Sequence, residues 1–141
     1  LDVTFRQSLI MQTVWLATAT SYNGISIILT LYDYPPLKEG KPVETLLFLE
    51  FYGVIILIGH AKLYRLYILL GCLLTIILIG AGIGSHVYNA LSIGILEVYN
   101  SFLAWALAIL INIYGVTTFL LGILIAKNEN RRKNDPFTYL Q

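Results

Sequence analysis

Residues 63–84 read LYRLYILLGCLLTIILIGAGIG. Arg65 stands near the start, and no Asp, Glu, Lys or Arg follows it in the stretch. A helix needs roughly 20 apolar residues to cross the hydrocarbon core of a bilayer, and this run supplies them. Leu73-Leu74-Thr75-Ile76-Ile77-Leu78-Ile79 lacks the alternation of polar and apolar residues that marks a membrane-barrel strand. Only helices and closed barrels satisfy every backbone group in lipid. The stretch therefore predicts a transmembrane helix.

Three more apolar runs flank it. One extends from Ser8 to Leu31, one from Thr45 to His60 (reaching Val43 and Ala61 at its ends), and one from Phe102 to Ala126. The expected fold is all-α: a single 141-residue domain forming a four-helix transmembrane bundle, with spans at about 8–31, 43–61, 63–84 and 102–126. A basic tail, 127–141, follows. Composition agrees. The chain is 57% hydrophobic and only 12% charged, against about 25% charged in a soluble domain, so it needs lipid or a very large partner to cover it. A net charge of +1 with no extended basic stripe argues against nucleic acid as a partner. The first run follows Arg6 but holds Thr18, Thr20, Ser21, Tyr22, Asn23 and Ser26, which is too polar for a signal-peptide core. The chain starts at Leu1 rather than Met, as expected where residues are missing or processed ahead of it.

Basic residues set the expected orientation. With four spans, the N-terminus, the second loop and the C-terminus share a side that carries Arg6, Lys62, Arg65, Lys127, Arg131, Arg132 and Lys133. The other side has Lys38 and Lys41 alone. Both termini are thus expected in the cytoplasm, with the bundle in a cell (inner) membrane. Tyr32, Tyr34, Tyr64, Tyr67, Tyr88, Tyr99, Phe102 and Trp105 sit near the proposed boundaries, where aromatic belts form. The first outer loop contains Pro35, Pro36, Gly40 and Pro42 and is restricted to extended or turn conformations. The second, Ser85 to Asn100, reads either as a short helix on the bilayer surface or as a loop packed back on the bundle.

Small residues point to helix contacts. Gly80 and Gly84 are four apart, and Gly115 and Gly122 seven apart, so each pair would share a face and admit a neighbouring backbone. Gln12, Ala19, Asn23, Ser26 and Thr30 form one small, polar stripe on the first helix, read as a helix–helix interface.

Glu50 is the one acidic residue within an apolar run. It lies about six residues inside the outer boundary, on the order of 9 Å deep, where a charge costs about 2.5 kcal/mol or more near mid-span and less toward the ends. Asn23, Tyr22, Asn112 and Tyr114 fall at comparable depth, so the expectation is one polar intramembrane layer around Glu50. That layer reads as a structural hydrogen bond from a protonated Glu50 to a neighbouring helix or another subunit, as a proton-exchanging carboxylic acid, or as a polar site for a small ligand. His60 and His86 lie at opposite ends of helices two and three, roughly 30 Å apart. They cannot share a haem or metal, but each suits an interfacial cofactor or quinone contact. Cys72 is the lone cysteine, which excludes an internal disulfide or dithiol pair. No motif for catalysis, phosphate binding or a metal stands out, so no catalytic or metal-ligating residue is expected.

The tail, basic and then aromatic to Gln141, suits a partner subunit first and anionic lipid second. Bound lipid is expected, with haem or quinone only at an interface with another subunit. The functional expectation is a small integral subunit of a larger membrane complex, respiratory or otherwise energy-transducing, with a scaffolding role. The alternative is a small oligomeric proton-coupled carrier using Glu50. The orientation is directly testable. After Cys72→Ala, an impermeant thiol reagent applied to intact cells should label Gly40→Cys and spare Asn134→Cys, and the reverse pattern would overturn it.

Overall fold

The computed structural model describes residues 3–134. Asp135–Gln141, the aromatic part of the tail, lies outside them. Among the described residues six α-helices form: α1 (Phe5–Leu31), α2 (Pro42–His60), α3 (Tyr64–Ile77), α4 (Ser85–Ser92), α5 (Ile95–Val98) and α6 (Phe102–Asn134). A π-helical stretch, Leu78–Gly84, joins α3 to α4, so the third span runs unbroken from Tyr64 to Ser92. Among the described residues four helices are long and apolar enough to cross a membrane. The chain is an all-α bundle compatible with an integral membrane protein. Among the described residues no strand forms, only an isolated antiparallel bridge between Lys38 and Tyr99.

Local chemistry sets the helix starts. Thr4 Oγ1 accepts from Gln7 N at 3.2 Å while Gln7 Oε1 accepts from Thr4 N at 2.8 Å, a reciprocal cap that occupies two otherwise unpaired donors of α1. Pro42 opens α2, where its fixed φ and missing N–H cost nothing. The helix ends differ from the expected spans. The third helix continues to Ser92 rather than Gly84, and the last to Asn134 rather than Ala126. Hydropathy reports where lipid contact ends, whereas the backbone ladder continues through any residue of tolerable propensity. Arg131, Arg132 and Lys133 in the last turn of α6 also complement its dipole.

The helices run up and down around a ring. α1 packs on α2 and α6, and α3 packs on α2 and α6, while the backbones across each diagonal do not meet. Phe5 stacks edge-on against Tyr64 at 5.2 Å, and Lys62 and Arg65 share a surface hollow with Asn130 and Lys133. The N-terminus, the α2–α3 turn and the end of α6 therefore form one end of the bundle, called the terminal end below. The other is the loop end.

Trp15 of α1, Tyr52 of α2 and Phe119 of α6 form the centre, with ring centroids 4.9, 5.5 and 5.6 Å apart in edge-to-face pairs. The Tyr52 hydroxyl donates to the Leu74 carbonyl of α3 at 3.0 Å. Toward the terminal end, Gln12 Nε2 donates to Tyr67 Oη at 2.6 Å and to Thr118 O at 3.1 Å. Gln12, Ala19 and Ser26 of the polar stripe are buried, Asn23 is half-buried and Thr30 is exposed.

Gly80 and Gly84 do not make the close contact expected of them. A side chain at Gly80 would meet nothing within 4 Å, and one at Gly84 only the Ile79 carbonyl of its own helix. The π turn is the reason, since its wider winding shifts the face that a four-residue spacing would occupy. Gly82 takes that role, because a Cβ there would lie 2.5 Å from Asn112 Oδ1. Gly115 accommodates Trp15 and Leu78, and Gly122 accommodates Tyr67 and Gln12.

The long segment after the third span does not form a separate surface helix. Its first part is α4, a continuation of the span. Gly94, at φ +109°, then turns the chain, a conformation open to residues without a Cβ. α5 and Tyr99 pack back, and Glu39 N donates to Val98 O at 2.7 Å and Asn100 N to Leu37 O at 3.3 Å. Substitution should expose the difference among the glycines. Gly82→Leu and Gly115→Leu should destabilise the bundle by about 1–3 kcal/mol or more through overpacking, seen as a lower unfolding temperature in detergent. Gly80→Leu should leave it unchanged.

Candidate functional site

α2 and α3 are joined by a short turn and stay in contact along α3, but α2 makes no backbone approach to the π stretch or to α4. The third span leans instead on α6 there. The gap toward the loop end is a cavity of about 500 Å³, within the roughly 300–1,000 Å³ typical of small-molecule sites.

Each element contributes a distinct part of its wall. α1 presents Trp15, Ala19, Tyr22 and Asn23. α2 presents Glu44, Thr45, Phe48, Leu49 and Tyr52, with Lys41 just before it. The third span presents Ile77, Leu78, Ala81, Gly82 and His86, and α6 presents Ala108, Ile111 and Asn112. Lys38 enters from the first loop. Aromatic and aliphatic groups make the depth, and ionisable groups sit at the loop end.

The polar groups are differently engaged. Tyr22 Oη donates to Ala104 O at 3.0 Å, binding α1 to α6. The Asn23 and Asn112 amides donate to their own helices, at Ala19 O (2.9 Å) and Ala108 O (2.7 Å). Lys41 pairs with Glu44 at 2.8 Å. Lys38 has no carboxylate within ion-pair distance among the described residues, and burial lowers its pKa below the ordinary lysine value.

His86 is buried and hydrogen-bonded through Nδ1 to the Tyr99 hydroxyl. Its carbonyl accepts from Trp105 Nε1 at 3.2 Å. Burial pushes the Tyr99 phenol up to about 12, so it keeps its proton at neutral pH. We assign that O–H as the donor, which leaves the imidazole neutral with its own proton on Nε2. Two backbone features hold the group together: the Lys38–Tyr99 bridge and the Leu37 N donation to Ser26 Oγ of α1 at 3.2 Å. The site thus combines a cation, an imidazole and two carboxamides with aromatic and aliphatic walls, an arrangement suited to binding. Among the described residues no three His, Cys, Asp or Glu side chains approach closely enough to hold a metal.

Of the layer expected around Glu50, the structure brings Tyr22, Asn23 and Asn112 to this cavity. Glu50 does not join them, because it is exposed on the outside of α2. Its neighbours explain the direction: Leu49 and Tyr52 point inward and are buried, and a helix turns about 100° per residue. Tyr114 is half-buried against the main core and does not line the cavity. His60 is exposed at the far end of α2, whereas His86 is buried and lines the cavity. Cys72 is exposed on α3. Sequence reasoning missed Trp15 and Lys38. Trp15 carried a usable signal, since it falls three residues after Gln12 on the polar stripe. Lys38 carried none, because its position depends on a loop 61 residues away in sequence (99 − 38).

No protein family, characterised protein or solved structure matches the chain.

The His86–Tyr99 pair makes a direct prediction. Tyr99→Phe should strand a buried imidazole nitrogen and lower stability by about 1–3 kcal/mol, measured by thermal unfolding in detergent. Tyr88→Phe, on the exposed side of α4, should have no effect.

Proposed function

We propose that the chain is a small integral subunit of a larger membrane complex and seats against another transmembrane chain through the outer face of α2. Glu50 carries this reading. It projects from the bundle among exposed Leu47, Phe51 and Val54, roughly 12 Å along the axis from the Pro42 start of α2. A carboxylate facing hydrocarbon there is unfavourable by about 2.5 kcal/mol or more at mid-depth. A hydrogen-bond donor or cation on a neighbouring helix removes that cost, and the apolar residues around it supply the packing surface. The role this supports is structural: the helix face recognises a partner and holds it in register.

Glu50 lies outside the cavity, which favours a subunit over a carrier that would use this residue to move protons through the bundle. The orientation follows the charges. Seven basic residues gather at the terminal end and two at the loop end, supporting termini in the cytoplasm, where the basic end also meets anionic lipid.

The test is purification of the tagged full chain in mild detergent from its native membrane. Co-purifying transmembrane proteins are expected. Glu50→Gln keeps shape and hydrogen-bonding capacity and should retain them. Glu50→Leu should weaken the association by about 1–2 kcal/mol, a loss of roughly 5- to 30-fold, without lowering the unfolding temperature of the isolated chain. Retention of the partner by Glu50→Leu would overturn the interface. A pure homo-oligomer would replace the subunit with a self-assembling carrier.

A further inference from the structure

A cavity of about 500 Å³ separates α2 from the loop-end half of the third span. Neighbouring helices in lipid are held by packing, because lipid chains are as apolar as the side chains. A molecule seated between two spans adds packing contacts with both walls. The hydroxyl of Tyr52 pins α2 to α3 at Leu74, and beyond that point the two spans part around the cavity.

The walls describe what fits. Phe48, Leu49, Ile77 and Leu78 line the cavity with apolar groups, and the Asn23 and Asn112 amides at the same depth donate to their own helices. At the loop end the charges are unequal. Lys41 and Glu44 neutralise each other at 2.8 Å. Lys38 lines the same cavity without a carboxylate partner among the described residues, so the rim carries one uncompensated positive charge. His86 lines the cavity as well, held by its hydrogen bond with Tyr99. The backbone bridge to Tyr99 fixes Lys38 over the opening. A half-buried ammonium gains most from an anion, since the pair restores what desolvation removed.

We propose that this cavity binds an amphipathic anion, with a single apolar chain between α2 and the third span and a carboxylate or phosphate head at Lys38. At about 30 Å³ per water-sized group, 500 Å³ accommodates roughly one chain of 12–18 carbons. Burial lowers the pKa of Lys38, in keeping with a cation that lacks its counter-ion. The proposal is independent of the Glu50 interface, which lies on the other side of α2, and its failure would leave that reading standing.

The experiment is native mass spectrometry of the full chain in a neutral maltoside detergent. Hexadecanoate, hexadecyl phosphate and hexadecanol are titrated separately. One bound copy of at least one anion is expected, at least 10-fold tighter than the alcohol. Whether the carboxylate or the phosphate binds better identifies the source of the head. Lys38→Gln should weaken the anion about 10-fold or more and leave the alcohol unchanged, whereas Lys62→Gln, at the terminal end, should change neither. Ala81→Trp and Thr45→Trp fill the cavity from opposite walls, and either one that folds should abolish binding. Equal binding of alcohol and anions, no anion binding, or unchanged affinity in Lys38→Gln or in a folded cavity-filled variant would each overturn the proposal.

Discussion

The side-chain amide of Gln12 holds the terminal half of the bundle together. Its Nε2 donates to the Tyr67 hydroxyl and to the Thr118 carbonyl, so one group on α1 engages both α3 and α6. In water such a contact would contribute modestly beside the hydrophobic effect. In lipid that effect no longer favours helix against helix, and polar contacts with close backbone packing decide which faces meet. Gly122 makes the contact possible, because a Cβ there would occupy the space of Tyr67 Oη and Gln12 Nε2. The Trp15–Tyr52–Phe119 cluster stands beyond it toward the loop end and adds α2 to the assembly.

No comparable tie joins α2 to the third span beyond Tyr52. The π stretch contributes to this. It carries Gly80, Gly82 and Gly84, which offer little side-chain bulk to a neighbour, and it turns Gly82 and Leu78 toward Asn112 and Gly115 of α6. The third span therefore follows α6 and leaves α2. At the loop end the connections take over from the helices. The short pairing of Leu37–Glu39 with Val98–Asn100 closes a second small core of Val98, Tyr99, Ala104 and Ala108. That core brings Lys38, His86 and Tyr99 to one place. The bundle is thus closed by side chains at one end and by backbone pairing at the other, with a cavity between.

Two surfaces of α2 consequently differ in character. The inner one, through Leu49 and Tyr52, lines the cavity and the core. The outer one, with Leu47, Glu50, Phe51 and Val54, faces away from the bundle. A carboxylate outside and a lone ammonium at the rim are too far apart in role to serve one path. The proposed helix interface and the proposed anion site therefore use separate faces of the bundle.

Much of the architecture was legible in the chain itself. Run length and lack of alternation determined four helical spans, because lipid admits few other ways to satisfy a backbone. The gathering of Gln12, Ala19 and Ser26 on one face of α1 followed from helical spacing. Three of the five residues assigned to the polar layer, Tyr22, Asn23 and Asn112, do meet at one cavity, since depth along a span follows from counting residues. Rotation about each axis was not legible. Apolar residues surround α2 on nearly every side, so periodicity carries no phase, and the placing of Glu50 in an inner layer rested on depth alone. Gly80 and Gly84 were misplaced for a related reason: a four-residue spacing identifies a face only while the winding stays at 3.6 residues per turn, and the π stretch departs from it. The position of Lys38 over the cavity was beyond local reasoning altogether, because it rests on two loops, far apart in sequence, pairing once the helices have brought them together. Depth is a property of one helix and can be read from its residues, whereas rotation, loop pairing and the unfilled space between helices exist only when all four are packed.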